Sequence, residues 1–300
     1  MFWLYLAIIG YTLLGIVAIL DKFIVTNERL APLVYAFYSS VVALLLILLL
    51  PFHVVTFLSS IKEWLIAVFA GLASLLSLYT MYKSFSETEV SHSGPLLGAV
   101  IPFFTVIFSF YFLGDHITTH QLEAIIILIA GSLLITNGKN YQYPNWYRGM
   151  GWGVLSGICF ALFFVSAKYI YGLVGFFSGF VLVWGAMGLW SLALLLLPSL
   201  RQALRKPKEK AAQRAPWFVI GIDKLCSLAG VVLIQYAISA GSVSVVNALT
   251  GLEYALLVIF VALLSRWHPE RFKEEYSVGE LISEGIAVVL IAFGIGLLLA

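Results

Sequence analysis

Ten apolar runs, each near the length of a membrane-crossing helix, follow one another along the 300 residues and leave no stretch in which a water-soluble domain fits. About 20 apolar residues rising 1.5 Å each cross a hydrocarbon core ~30 Å thick. Lipid offers nothing for backbone N–H and C=O groups to bond to, so such runs close their own hydrogen bonds as α-helices. The runs predict spans near residues 2–21, 32–50, 64–84, 93–113, 118–136, 150–170, 175–198, 217–240, 242–264 and 281–299. Only 11% of the residues are charged, against about 25% in a soluble domain. Residues 2–20 lack a positive start and a small-residue cleavage site, so they read as a retained first span and not as a cleavable signal. The two cysteines, Cys159 and Cys226, lie inside apolar runs and read as small core residues.

The chain repeats itself. Lys22 ends the first span in AILDKFIV, and Lys168 ends the sixth in FVSAKYIY. The second span finishes LLLILLLP at Pro51, the seventh finishes LALLLLP at Pro198, and spans three and eight open on Trp64 and Trp217. These pairs are offset by 146, 147 and 153 residues, which divides the chain into repeats at 1–140 and 141–300. Five spans per repeat is an odd number, so the second copy enters the membrane upside down. The predicted fold class is therefore an all-α polytopic membrane protein of ten transmembrane helices in two inverted five-helix repeats. Inverted repeats point to alternating access around a site near the midplane, although duplication for packing alone leaves the same register.

The most expensive residue in this scheme is Glu253, twelfth of the twenty-three residues 242–264. A carboxylate at that depth costs roughly 2.5–3.5 kcal/mol to insert. On a helical wheel Asn247, Thr250, Gly251 and Tyr254 form one stripe with Glu253 beside it, opposite plain Val, Leu and Ile. Spans eight and nine are joined by almost nothing, which predicts an antiparallel pair and places Lys224 within reach of Glu253. Lys224, Ser227, Val231 and Gln235 share a face of span eight, with Asp223 turned nearer a rim. Two readings stand: the acid and the lysine hold a zwitterionic solute or exchange a coupled proton, or they neutralise each other structurally.

Other residues carry weaker signals. Tyr38, Tyr82 and Trp184 suit a substrate chamber and equally an interfacial aromatic belt. Pro95 and Pro102, with Gly94 and Gly98, interrupt the hydrogen-bond ladder of span four and mark a hinge or a packing kink. Lys22 and Lys168, at related span ends, either snorkel to headgroups or line a gate. Catalysis is not expected. Residues 149–153, GMGWG, follow no strand, and the five histidines form no ligand cluster. His116 beside Asp115 reads as a solvated loop pair. With no Walker motif and no cofactor motif, uphill transport must draw on an ion gradient or on exchange of solutes. A net charge of +2 with no basic aromatic patch argues against nucleic acid.

Residues 82–131, YKSFSETEVSHSGPLLGAVIPFFTVIFSFYFLGDHITTHQLEAIIILIAG, resemble the signature half of an EamA-type repeat of the drug/metabolite transporter superfamily. The matching features are a Tyr-containing third helix, a small-residue turn, a Pro in the fourth helix, an acidic residue after "LG" and a Gln-started fifth helix. Asp115 stands where that family usually has Glu, Glu123 falls near a usual Gly, and LTGLEYALL in span nine lacks the Pro that Pro102 supplies in span four. With the second copy the resemblance covers essentially the whole chain.

It implies ten helices in two inverted repeats and a secondary active transporter of small organic metabolites. The expected solutes are amino-acid-like or amphipathic, and export is the expected direction. The expected partners are the solute, a coupled proton or exchanged solute, and the lipid bilayer. The rival readings are a nucleotide-sugar or lipid-linked carrier, which needs several cavity cations, and a non-transporting scaffold subunit. The expected location is the plasma (inner) membrane, multi-pass. Loops after odd-numbered spans hold fourteen Lys or Arg, six of them in residues 199–216, which favours cytoplasmic odd loops and termini outside. Family habit favours termini inside.

Overall fold

The computed structural model describes residues 2–25, 32–52, 54–88, 90–136, 146–205, 217–267 and 278–299, and every element among them is helical. In chain order these are α1 (Phe2–Val25), α2 (Pro32–Val41) running on as a 3-10 helix (Val42–Phe52), α3 (Ile61–Glu87), α4 (Val90–Leu113), α5 (Thr119–Thr136), α6 (Trp146–Val174), α7 (Phe176–Leu194), the short α8 (Pro198–Arg205), α9 (Trp217–Ala240), α10 (Val243–Ala248), α11 (Thr250–Trp267) and α12 (Val278–Leu299). Among the described residues six stretches are long and apolar enough to cross a membrane: Pro32–Leu50, Ile61–Glu87, Ser93–Leu113, Tyr147–Val174, Phe176–Leu194 and Ile222–Ala240. Four shorter apolar stretches, Phe2–Ala18, Thr119–Leu134, Val243–Leu257 and Gly285–Leu299, fall where the other spans were expected.

Local chemistry sets several ends. Ser60 accepts from the Glu63 N–H, and Glu63 Oε2 accepts from the Ser60 N–H, a reciprocal cap that starts α3. Thr118 and Gln121 do the same for α5, which gives the Gln at that helix start its reason. Gly175, at φ 79°, is the single residue linking α6 to α7, a conformation that favours glycine.

Three features bear on function. Span nine is two helices, α10 and α11, parted at Leu249. Span four keeps a helical backbone through Pro95 and Pro102, which lack the N–H of the ladder, and both prolines are buried. Spans eight and nine do not run as a packed pair: α9 and α11 each lie along α1, and α11 also packs on α4. Elsewhere α3 packs along α6, α4 on α5 and α6, and α5 along α12. In lipid the close approach of small residues takes over from hydrophobic collapse. It does so here where a Cβ on Gly10 would stand 3.0 Å from the Gly230 carbonyl oxygen.

Candidate functional site

The break at Leu249 is a tightened turn. The Leu249 N–H turns to the Asn247 and Val246 carbonyls, and the Thr250 hydroxyl donates to Asn247 O at 2.7 Å. Its consequence is electrostatic. Glu253 falls in the first turn of α11, where the unbonded N–H groups of a helix start favour an anion by about 0.3–1 kcal/mol, and more when partly buried. The acid thus gains a favourable helix end that an unbroken helix would deny it. Glu253 is half-buried, and its charge acts on the phenols of both Tyr11 and Tyr254.

Around the break a polar network joins both halves of the chain. Tyr11 Oη on α1 donates to Asn247 Oδ1 at 3.2 Å, and Thr250 Oγ1 lies 3.1 Å from Tyr11 Oη. Asn247 Nδ2 donates to Thr105 Oγ1 on α4 at 3.4 Å. All four side chains are buried. Tyr254, also buried, lays its ring on two glycines of α4: a Cβ on Gly94 would stand 2.7 Å from it and one on Gly98 3.0 Å. Gly251 faces Ser132 of α5. The stripe predicted on span nine is real and turns toward protein. Tyr11 and Thr105 were missed; the available signal was a polar side chain at the same depth in spans one and four.

The remaining expected residues are scattered. Gln235 is buried and accepts from Tyr171 Oη at 2.8 Å, and Trp184 stacks on Phe180 with centroids 5.1 Å apart and meets Phe163 edge-on. Tyr82 Oη lies 3.1 Å from Ser39 Oγ, with the Tyr35 ring 4.7 Å from its own. Tyr38 is half exposed. Asp223, expected near a rim, is fully buried, whereas the Lys224 side chain is 62% exposed and brings its ammonium within 2.8 Å of Asp223 Oδ2. The expectation that Lys224 faces Glu253 relied on helix pairing that α1 replaces. Lys168 does not end its helix at the headgroups: it is half-buried within α6 and donates to the carbonyls of Ser239 and Gly241. Lys22 sits in α1, with its side chain outside the described part of the structure.

Comparison with known proteins agrees with this architecture. A crystal structure of another protein superposes over 98% of this chain and 96% of that one with a TM-score of 0.64 at 14% identity, so the two share a fold. No curated protein matches the chain. The model of the EamA-like transporter family matches residues 1–137, the half that contributes α1 to α5 and with them Tyr11, Gly94, Gly98, Thr105 and Ser132. Over residues 1–137 the chain is therefore similar to the EamA-like transporter family, which is part of the drug/metabolite transporter superfamily.

Proposed function

We propose that this protein is a secondary active transporter that moves small organic solutes, amino-acid-like or amphipathic, across the plasma (inner) membrane by alternating access, with export as its direction. The observation that carries the reading is the network at Leu249. Hydrogen-bonding groups from α1 and α4 of the first half meet a broken helix of the second half beside the one carboxylate of that span. Neutral donors and acceptors such as Tyr11, Asn247, Thr105 and Thr250 orient a polar solute, and Glu253 takes its cation or a coupled proton. A phosphate-bearing solute is less well served. Among the described residues Lys224 is largely exposed beside Asp223, and Lys168 is held by backbone carbonyls.

Ten spans in two inverted repeats fit the packing. The offsets of 146 and 153 residues convert one set of contacts into another. Trp3 against Gly241 becomes Gly149 against Thr88. Gly10 against Gly230 becomes Ser156 against Ser77, where Ser156 Oγ donates to Ser77 O at 2.8 Å. A scaffold subunit has no use for a polar break at mid-depth shared between mirror-related halves.

Counterflow in proteoliposomes against a panel of amino acids and amphipathic cations tests the proposal, with wild type beside Glu253→Gln. Wild type is expected to exchange at least one solute, and the variant to lose most of that flux. No exchange by either protein would overturn the transport reading. Equal exchange by both would remove Glu253 from it.

A further inference from the structure

We propose that the turn joining α9 to α10 is the movable lip of a gate at the membrane face where α1 begins, and that Asp115 and Lys168 latch it shut. The inference rests on the transport reading above and adds the part that must move.

The turn is held from three sides. Lys168 Nζ donates to Ser239 O at 3.0 Å and Gly241 O at 2.8 Å, carbonyls at the end of α9 that lack a helical partner. A cation there also suits the negative end of the helix. On the other side of the turn, Asp115 Oδ2 accepts from Ser242 Oγ at 3.0 Å, and Ser242 is the N-cap of α10. Asp115 is presented firmly, since Gly114 takes φ 63° and the Asp115 N–H donates to Ser109 O at 3.2 Å. One turn further in, the Ser109 and Ser244 hydroxyls meet at 2.7 Å. The Trp3 indole closes the third side, lying flat against Gly241, where a Cβ would collide with the ring.

Asp115 and Trp3 come from the first half of the chain and Lys168 from the second, so the stretch 239–242 is tied to both. The ties at the turn itself are few, polar and half-buried, unlike the packed core beneath them. Behind the turn lies α10, six residues long, which carries Asn247 and ends at the break at Leu249. Lifting the turn therefore draws Asn247 away from Tyr11 and Thr105. A gate built this way opens its face and releases the site's hydrogen bonds in one movement.

The test uses the full-length protein in lipid nanodiscs, with Cys159 and Cys226 replaced by serine and a reporter cysteine placed at Ser244, which is fully buried behind the turn. The labelling rate by a water-soluble maleimide reads the opening. Lys168→Met, which removes two charged hydrogen bonds, is expected to raise it about tenfold or more, and Asp115→Asn, which keeps an acceptor for Ser242 but gives up the charge, severalfold. Ser242→Ala, which keeps every charge, should raise it severalfold. In a second arm, Asp115→Cys with Ser242→Cys is cross-linked by oxidant; solute counterflow should stop and return on reduction. Labelling rates equal to the parent in all three variants, failure of the pair to cross-link, or full flux through the cross-linked form would each overturn the latch. Raised labelling in a protein that moves no solute would keep the latch and sink the transport reading instead.

Discussion

Replacing Tyr11 by Phe removes one oxygen from the network at the break, and the structure says which partner suffers. Thr250 keeps its bond to the Asn247 carbonyl at 2.7 Å, and Thr105 keeps its own to Ile101 O at 2.8 Å. The group left short is Asn247 Oδ1, which loses its donor at 3.2 Å. An orphaned buried acceptor costs about 1–3 kcal/mol in a soluble core. Within membranes, side-chain hydrogen bonds average nearer ~0.6 kcal/mol and reach ~1.7, because the unfolded helices also find partners in lipid. Tyr11→Phe should therefore destabilise by about 1 kcal/mol. Asn247→Leu leaves the Tyr11 hydroxyl only Thr250 Oγ1 at 3.1 Å, and combining the two leaves no unpaired partner of the Tyr11–Asn247 bond. The double variant should thus be less damaged than the sum of the singles, with a coupling of about 0.6–1.7 kcal/mol. Reversible unfolding in mixed micelles measures all three, and solute counterflow run in parallel should fall in each. Strict additivity would refute the network, whatever the single values are.

Three further outcomes are expected. Gly94→Ala drives a methyl into the Tyr254 ring from 2.7 Å and should cost about 1–3 kcal/mol in unfolding scans, with Tyr254→Leu added to it recovering much of the loss. Failure of the second change to help would deny the ring its seat on α4. Ser60→Ala breaks the cap of α3 far from the break; it should cost about 0.5–2 kcal/mol of stability and leave counterflow per folded molecule unchanged. Glu253→Gln, by contrast, should keep its fold and lose flux, since in the half-buried first turn of α11 the amide retains hydrogen bonding and gives up the charge.

Most of the helix layout was legible because lipid leaves the chain few choices: an apolar run of span length has to be helical, and the Trp, Pro and Lys landmarks repeat at fixed offsets. The stripe Asn247, Thr250, Gly251 and Tyr254 was legible for the same reason, as a consequence of helical period. The break inside it was not. Two prolines in α4 remove N–H groups from the ladder without ending the helix, while Leu249 has neither Pro nor Gly at its own position and parts two helices where Thr250 and Asn247 supply replacement bonds. Asp223 and Lys224 show a second limit. A wheel separates them by a fixed angle, and only the placement of α1 against α9 decides that the acid goes in and the lysine out. Lys168 shows a third, since α6 runs six residues past it to Val174 and turns an expected headgroup contact into a bond with another helix.

The 3-10 winding of Val42–Phe52 carries a consequence for reach. Eleven residues wound three to a turn extend about 5 Å further than the same residues in an α-helix. Along one side Val42, Leu45 and Leu48 stand exposed, while Leu44 and Ile47 ride over Gly188 and Gly185 of α7 with almost no side chain between. Rewinding this segment would shorten it against a smooth neighbour, so its far end can be drawn toward the membrane interior or let out again without the rest of the bundle changing partners.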